Sequence, residues 1–152
     1  MIDRSRLREL HGSDLPLHVL EQDYVQALFL QELYRATDIL VFKGGTFLKH
    51  AHGLDRFSED LDFTSESDGP IVSTLEDAAT GLDRYGLPAT IDNVERRPNA
   101  VVGRLEYEGP LFDGTDRSRG RIELDVSTRD DLFREPEWVR LFVPYPETRA
   151  VI

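Results

Sequence analysis

The chain has 152 residues, of which 39% are hydrophobic and 31% charged, as expected for one soluble globular domain. It has no cysteine, which excludes disulfides, thiolate zinc sites and a cysteine nucleophile, and its formal net charge of −11 disfavours nucleic-acid binding unless basic residues cluster. No apolar run reaches the roughly 20 residues of a membrane helix, and the polar N-terminus is unlike a signal peptide. The expected location is therefore cytoplasmic.

Hydrophobic spacing and turn residues predict the elements of the first half of the chain. Apolar residues at helical spacing alternate there with short apolar runs, and glycine or proline separates one from the next. In chain order, the predicted elements are a helix over 1–10 that ends near Gly12, a helix over 19–35, a buried strand over 39–42, a helix over 46–52 capped by Gly53, and a strand over 58–64.

The second half is predicted to contain one helix and several strands. Residues 67–70 form a turn that leads into a helix ending near Gly86. Alternation of apolar and polar residues then predicts further strands over 89–96, 101–108, 120–128 and 138–143. The expected fold class is α/β or α+β, with helices mainly on one face of the sheet. The core stripe of the helix is predicted to be Ile71, Leu75, Ala78 and Leu82.

Asp60 and Asp62 are the first candidate metal ligands. Residues i and i+2 of a strand point to the same face, so both carboxylates would lie side by side with Ser58. Neighbouring carboxylates repel each other unless a cation compensates, and Mg²⁺ prefers oxygen ligands. A third carboxylate is expected from Asp125 on a later strand, and Glu123 on the same predicted face is the weaker alternative.

Gly44-Gly45-Thr46 is a candidate phosphate-binding turn. A strand here runs into two glycines and then a helix. Glycine lets the backbone approach a phosphate closely, and a helix N-terminus attracts anions. Thr46 would add a hydroxyl donor, and Lys49 either reaches phosphate or is an ordinary solvated lysine. Phosphoryl transfer needs a phosphate cradle beside a metal site, so the two motifs together favour that chemistry more than either does alone.

These motifs resemble the signature of a known family. Residues 41–49 (VFKGGTFLK) and 53–63 (GLDRFSEDLDF) look like the signature of the AbiEii-type nucleotidyltransferases, and 21–24 and 122–126 are similar too. That family comprises toxins of abortive-infection, type IV toxin–antitoxin systems, is related to MenT-type toxins and belongs to the DNA polymerase β-like superfamily. The resemblance implies a nucleotidyltransferase fold with a mixed sheet of about five strands.

The resemblance also implies an activity and its residues. The protein would transfer a nucleotide from an NTP to an acceptor, expected to be RNA such as tRNA. It would use Mg²⁺ or Mn²⁺ and be controlled by a cognate antitoxin. The implied catalytic and metal-binding residues are Asp60, Asp62 and Asp125. The implied nucleotide-binding residues are Gly44, Gly45, Thr46, Ser58 and Lys49. Family members continue into a helical C-terminal region, so residues 1–152 are expected to form a single domain equivalent to their N-terminal half.

Other interpretations stay open at this stage. The chain could be a catalytically inactive module that binds nucleotide or antitoxin, or it could transfer nucleotide or phosphate to a protein or small molecule through the same metal site. An arginine group either guides an RNA end or pairs with some of the 29 acidic residues, and pairing is the favoured interpretation. That group is Arg117, Arg119 and Arg121. His11 and His18 are expected at the surface, and Trp138 in the core or an interface.

Overall fold

The computed structural model describes residues 1–11, 14–54, 57–65, 69–129 and 135–148. Its helices are α1 (Arg4–His11), α2 (Leu17–Ala36), α3 (Gly44–His52) and α4 (Ile71–Gly81), with short 3₁₀ helices at Leu82–Tyr85 and Asp116–Ser118. Its strands are β1 (Leu40–Lys43), β2 (Leu61–Ser65), β3 (Ala89–Arg97), β4 (Ala100–Tyr107) and β5 (Gly120–Ser127).

The five strands form one mixed sheet in the order β1-β2-β5-β4-β3. Strands β2 and β5 run parallel, and the other three neighbouring pairs are antiparallel. The predicted fold class is therefore confirmed. The parallel pair joins segments that are far apart in the sequence, so the chain around residue 62 lies beside the chain around residue 125.

One face of the sheet carries the core. On β5, Ile122, Leu124 and Val126 are at most 1% exposed, whereas the alternate residues, Asp125 among them, are exposed. The helices cover the apolar face, and the predicted stripe of α4 is buried against it. None of the helices in the described ranges is both long and apolar enough to cross a bilayer. The opposite face of the sheet is thus left for polar residues.

Two strand predictions need correction. Strand β2 begins at Leu61, so the predicted strand over 58–64 starts three residues too early, and residues 58–60 precede the strand. Among described residues 135–148 there is no strand, only an isolated bridge residue at Arg140. The backbone N–H of Phe142 instead donates to the carbonyl of His50, in the last turn of α3.

Two single-residue predictions also need correction. Trp138 is 62% exposed and makes an edge-on contact with Tyr34, so the core alternative is wrong, and the interface alternative stays a prediction. His11 does not lie at the surface, because its side chain is only 16% exposed and contacts Asp23. His18 is exposed, as predicted. Both failures involve contacts with segments that are distant in the sequence, which local patterns do not report.

A buried charged cluster centres on Asp23 of α2, which is 2% exposed. Its carboxylate pairs with Lys49 of α3, lies 2.9 Å from His11 Nε2 of α1, and accepts a 2.5 Å hydrogen bond from Tyr145 Oη. Burial alone would raise the pKa of Asp23, but the His11 hydrogen bond and the charges of His50 and Lys49 outweigh burial and hold it well below its usual range. The cluster ties three helices and the last described segment together.

His50 lies beside this cluster and is 1% exposed. Burial lowers the pKa of His50 to about 4, although the nearby Asp23 carboxylate opposes the change. The imidazole is therefore neutral at pH 7. In the unfolded chain the same group titrates near its ordinary pKa of about 6.5, so folding excludes a proton from His50 at intermediate pH.

This difference predicts a pH-dependent stability. Below pH 6.5, His50 binds a proton in the unfolded chain, whereas in the folded protein it does so only near pH 4. The free energy of unfolding therefore falls as the pH drops from 6.5 to about 4. The loss is up to about 3 kcal/mol. Urea unfolding at a series of pH values measures it. The variant His50→Gln should flatten this part of the curve, and the exposed-site control His52→Gln should retain it. Equal slopes in the wild type and His50→Gln would contradict the assignment.

Candidate active site

Asp62 and Asp125 lie next to each other on the open face of the sheet. They are Cα partners in the parallel β2–β5 pair. Their neighbours Leu61, Phe63, Leu124 and Val126 are buried on the opposite face. Because side chains alternate along a strand, both carboxylates stand on the face that the helices do not cover. The structure thus brings together two acids that are 63 residues apart in the sequence.

The third acid, Asp60, lies just ahead of β2 and is exposed. It does not belong to the strand, but its charge still acts on its neighbour. Partial burial raises the pKa of Asp62, the charges of Asp60 and Asp125 raise it further, and Lys43 opposes them. The three predicted carboxylates therefore share one electrostatic environment, and it disfavours negative charge in the absence of a compensating cation.

The glycine pair lies directly against these acids. Gly44 begins α3 with φ of +78°, and a side-chain carbon built on it would collide with the Asp62 carboxylate. A carbon built on Gly45 would lie 3.2 Å from Ser58 Oγ. Only glycine combines this backbone conformation with such a close approach. The start of α3 and the acidic face consequently form one continuous surface.

Thr46 has a different partner from the phosphate that the sequence predicts. Its side chain is fully buried, and its hydroxyl donates a 2.5 Å hydrogen bond to the backbone carbonyl of Asp60. The hydroxyl therefore links α3 to the segment that carries Asp60. This role depends on a contact across 14 residues of sequence, so the local motif gave no sign of it.

The two lysines occupy different environments. Lys49 pairs with Asp23, lies 4.8 Å from the centre of the Phe57 ring and has a side chain only 17% exposed, so the solvated-lysine interpretation is wrong. Lys43, at the end of β1, is the Cα partner of Asp62 and shares its face of the sheet. Sequence reasoning missed Lys43, although its place at the end of a predicted strand, just before Gly44, was a usable signal.

The donor set suits a hard cation but is not a preassembled cage. Among the described residues, no three histidine or acidic side chains are close enough to hold a metal ion together. Mg²⁺ is commonly bound through one or two protein carboxylates, with water and substrate phosphate as its other ligands. Asp62 and Asp125 supply two adjacent carboxylates whose mutual repulsion a cation would relieve. The residues therefore fit such a cation.

Glu123 is placed less favourably than Asp125 as a ligand. Both are exposed on the same face of β5. The partner of Asp125 on β2 is Asp62, whereas Glu123 is paired on β4 with Arg104 and precedes the paired part of β2. The register therefore favours Asp125.

The arginines near β5 are engaged in ion pairs. Arg119 contacts Glu106, Glu108 and Asp116, and Arg121 contacts Glu106 and Asp116. The pairing interpretation is thus confirmed for these two residues. Nearby acidic residues neutralise most of their positive charge, which weakens the interpretation that these arginines guide an RNA end toward the carboxylates.

A separate groove of about 640 Å³ runs along the edge strand β1. Tyr34, Phe47 and Trp138 line it, and it contains none of the three aspartates. Its charged lining residues, Asp38 and two glutamates, have the wrong sign for a triphosphate. The acidic face beside Gly44 is therefore the better candidate for phosphate chemistry.

Comparison with known families agrees with this geometry. Residues 28–151 match the family described as "Nucleotidyl transferase AbiEii toxin, Type IV TA system". The chain belongs to the AbiEii family. The matched range contains the glycine pair and all three aspartates.

Solved structures of similar fold include two bacterial proteins. MenT4, a nucleotidyltransferase toxin of Mycobacterium tuberculosis, superposes with a TM-score of 0.68 at 20% identity, over 100% of this chain and 54% of that one. JHP933 of Helicobacter pylori gives a TM-score of 0.58 at 21% identity, over 78% of this chain and 47% of that one. This AbiEii chain thus spans about half the length of each, and the likeness concerns the fold. No curated protein matches the chain.

Close packing of Gly44 on Asp62 leads to a prediction. In Gly44→Ala, the added methyl group would push the Asp62 carboxylate out of its half-buried position, so the pKa of Asp62 should fall toward its ordinary value. Carboxyl carbon NMR titration measures this change. Gly86→Ala is the matched control, because Gly86 also has positive φ (+70°) but its nearest neighbour would be 3.9 Å away. Both variants should lose about 1–2 kcal/mol of stability from the backbone alone. The same Asp62 titration in both would contradict the contact.

Proposed function

We propose that this AbiEii family member transfers a nucleotide from an NTP to an acceptor hydroxyl, with Mg²⁺ or Mn²⁺, and that the acceptor is RNA such as tRNA. The observation that carries the proposal is the pairing of Asp62 with Asp125 in register, directly against Gly44. Such a site offers a place for a cation and a place for phosphates within one surface, which is what nucleotidyl transfer requires.

In this proposal the adjacent carboxylates of Asp62 and Asp125 would hold the metal, and Asp60 would have to move closer to become the third ligand. The bound cation would neutralise charge on the triphosphate and on the departing pyrophosphate. Asp125, which is exposed, would accept the proton of the acceptor hydroxyl. The acceptor oxygen forms a bond to the α-phosphorus while the bond to pyrophosphate breaks.

The triphosphate would lie at the start of α3. Backbone N–H groups of Gly44, Gly45 and Thr46 begin that helix, and helix N-termini favour anions. Ser58 lies beside Gly45 and adds a hydroxyl. Lys43, across from Asp62, supplies a positive charge on the same face. Lys49 is the second candidate for this charge, but it would have to leave its ion pair with Asp23 to reach a phosphate.

A cognate antitoxin is the proposed protein partner. The family description places its members in type IV toxin–antitoxin systems. Such a partner would oppose the effect of nucleotide transfer in the cell.

The activity prediction concerns the carboxylates. Incubation with Mg²⁺, total cellular RNA and each NTP radiolabelled at its α-phosphate should transfer label to RNA. Asp62→Asn or Asp125→Asn should reduce the rate by at least about 100-fold, since a catalytic metal supplies several kcal/mol. Glu123→Gln is the control on the same face of β5 and should stay active.

The other results of this assay separate the alternatives. If the label appears on protein or on a small molecule, that molecule is the acceptor and RNA is not. Nucleotide binding by calorimetry without transfer would indicate a binding module. Loss of activity in Glu123→Gln, with activity kept in Asp125→Asn, would show that the third ligand is misassigned.

The lysine assignment can be tested by chemical labelling, because Lys43 and Lys49 are the only lysines of the chain. An amine-acetylating reagent followed by mass spectrometry reports each site separately. An NTP with Mg²⁺ should slow acetylation of Lys43 by about 10-fold at ten times its Kd, because bound phosphate covers the amine. Lys49 should react slowly with or without nucleotide, and a nucleoside that lacks phosphates should protect neither. Protection of Lys49 instead would transfer the role to that residue.

A further inference from the structure

The backbone ahead of β2 is held by side chains rather than by a neighbouring strand. Gln26 Nε2 of α2 lies 3.1 Å from the carbonyl oxygen of Ser58 and 3.0 Å from that of Glu59. Gln22 Nε2, one helical turn earlier, donates to the same Glu59 carbonyl at 2.8 Å. Two consecutive carbonyls of this segment therefore face α2.

The next carbonyl is held from the other side. Thr46 of α3 donates to the Asp60 carbonyl at 2.5 Å. Three carbonyls in a row are thus fixed by two helices, immediately before Asp62 enters the sheet. The position of Asp60 depends on this arrangement, because the residue lies just ahead of the strand.

Gln26 is an unusual choice for its position. It is completely buried, between Val25 and Ala27, which are also 0% exposed. Burying an amide is costly unless its hydrogen-bonding groups are satisfied, so packing alone would favour an aliphatic residue there. Its two ends have distinct partners: the nitrogen faces the carbonyls of residues 58 and 59, and Oε1 lies 3.5 Å from His50 Nε2.

We propose that Gln26 is a positioning residue, whose amide fixes the backbone of residues 58–60 and thereby places Asp60 and Asp62 for metal binding without contacting substrate. This inference rests on the proposed function, since the carboxylates that it positions are the proposed metal ligands. A purely structural glutamine would affect stability alone. A positioning glutamine also changes the affinity of the folded protein for the cation.

The experiment measures Mn²⁺ binding to the full chain by electron paramagnetic resonance, with nucleotidyl transfer followed as a function of Mn²⁺ concentration. Gln26→Leu removes the donor and keeps most of the volume. It should weaken Mn²⁺ binding by about 10-fold or more, the usual effect of losing a group that orients metal ligands, and transfer should need correspondingly more metal.

Gln31→Leu is the matched control. Gln31 lies on the same helix, is 8% exposed, and donates to Tyr85 Oη at 2.6 Å and to the Glu147 carbonyl at 3.0 Å. Because these partners lie outside the segment that carries Asp60, Gln31→Leu should leave Mn²⁺ affinity within about twofold, as expected for a group that does not orient the ligands. Circular dichroism establishes that each variant is folded at the temperature used.

Two more variants keep the test decisive if leucine prevents folding. Gln26→Glu has nearly the same shape but replaces the donor nitrogen by oxygen, and Thr46→Val removes only the hydrogen bond to Asp60. Both should weaken Mn²⁺ binding as Gln26→Leu does. Wild-type affinity in the folded Gln26 variants, with binding still lost in Asp62→Asn, would overturn the inference and leave the proposed function standing. Equal Mn²⁺ binding by the wild type and Asp62→Asn would overturn both.

Discussion

The parallel pairing of β2 with β5 is the constraint on which the candidate site depends, because it holds two like charges side by side. What keeps them there is apolar burial on the other face. Leu61, Phe63, Leu124 and Val126 are at most 1% exposed, and burying such side chains contributes about 1.5–3 kcal/mol each. Repulsion between two carboxylates near a protein surface is at most about 4 kcal/mol at contact distance. A slip of one residue would also move an aspartate into the core, so the register that buries the apolar residues is the one that pairs the acids.

Helix α2 is the element that connects this sheet to the rest of the molecule. It is buried on most of its surface, and its buried polar residues contact several other segments of the chain. Asp23 contacts a side chain of α1, a side chain of α3 and Tyr145. Gln26 donates hydrogen bonds to the backbone ahead of β2. Glu21 Oε1 accepts a 2.5 Å hydrogen bond from the backbone N–H of Leu111, in the loop before β5. These polar contacts specify how the surrounding segments dock, which apolar packing alone leaves less well defined.

How far the sequence predicts this structure depends on how local each signal is. The alternation of Ile122, Leu124 and Val126 identified β5 and put Asp125 on the open face, since a strand's pattern is contained within a few residues. The C-cap at Gly53 was equally local, and the glycine indeed has φ of +65°. The start of β2 was not local, because residues 58–60 alternate like a strand but give their carbonyls to Gln26 and Thr46. The buried partners of His11, and the absence of a strand around Trp138, likewise depend on contacts between distant segments.

The place of Asp23 and Gln26 within α2 has a practical consequence for where the folding unit begins. The family match starts at residue 28, in the middle of this helix. A domain boundary drawn at residue 28 would remove Leu7, which is completely buried. It would also remove His11, which contacts the Asp23 carboxylate, and Gln26, which holds the backbone ahead of β2. A boundary that keeps these contacts therefore lies ahead of α1, upstream of the residue at which the family match starts.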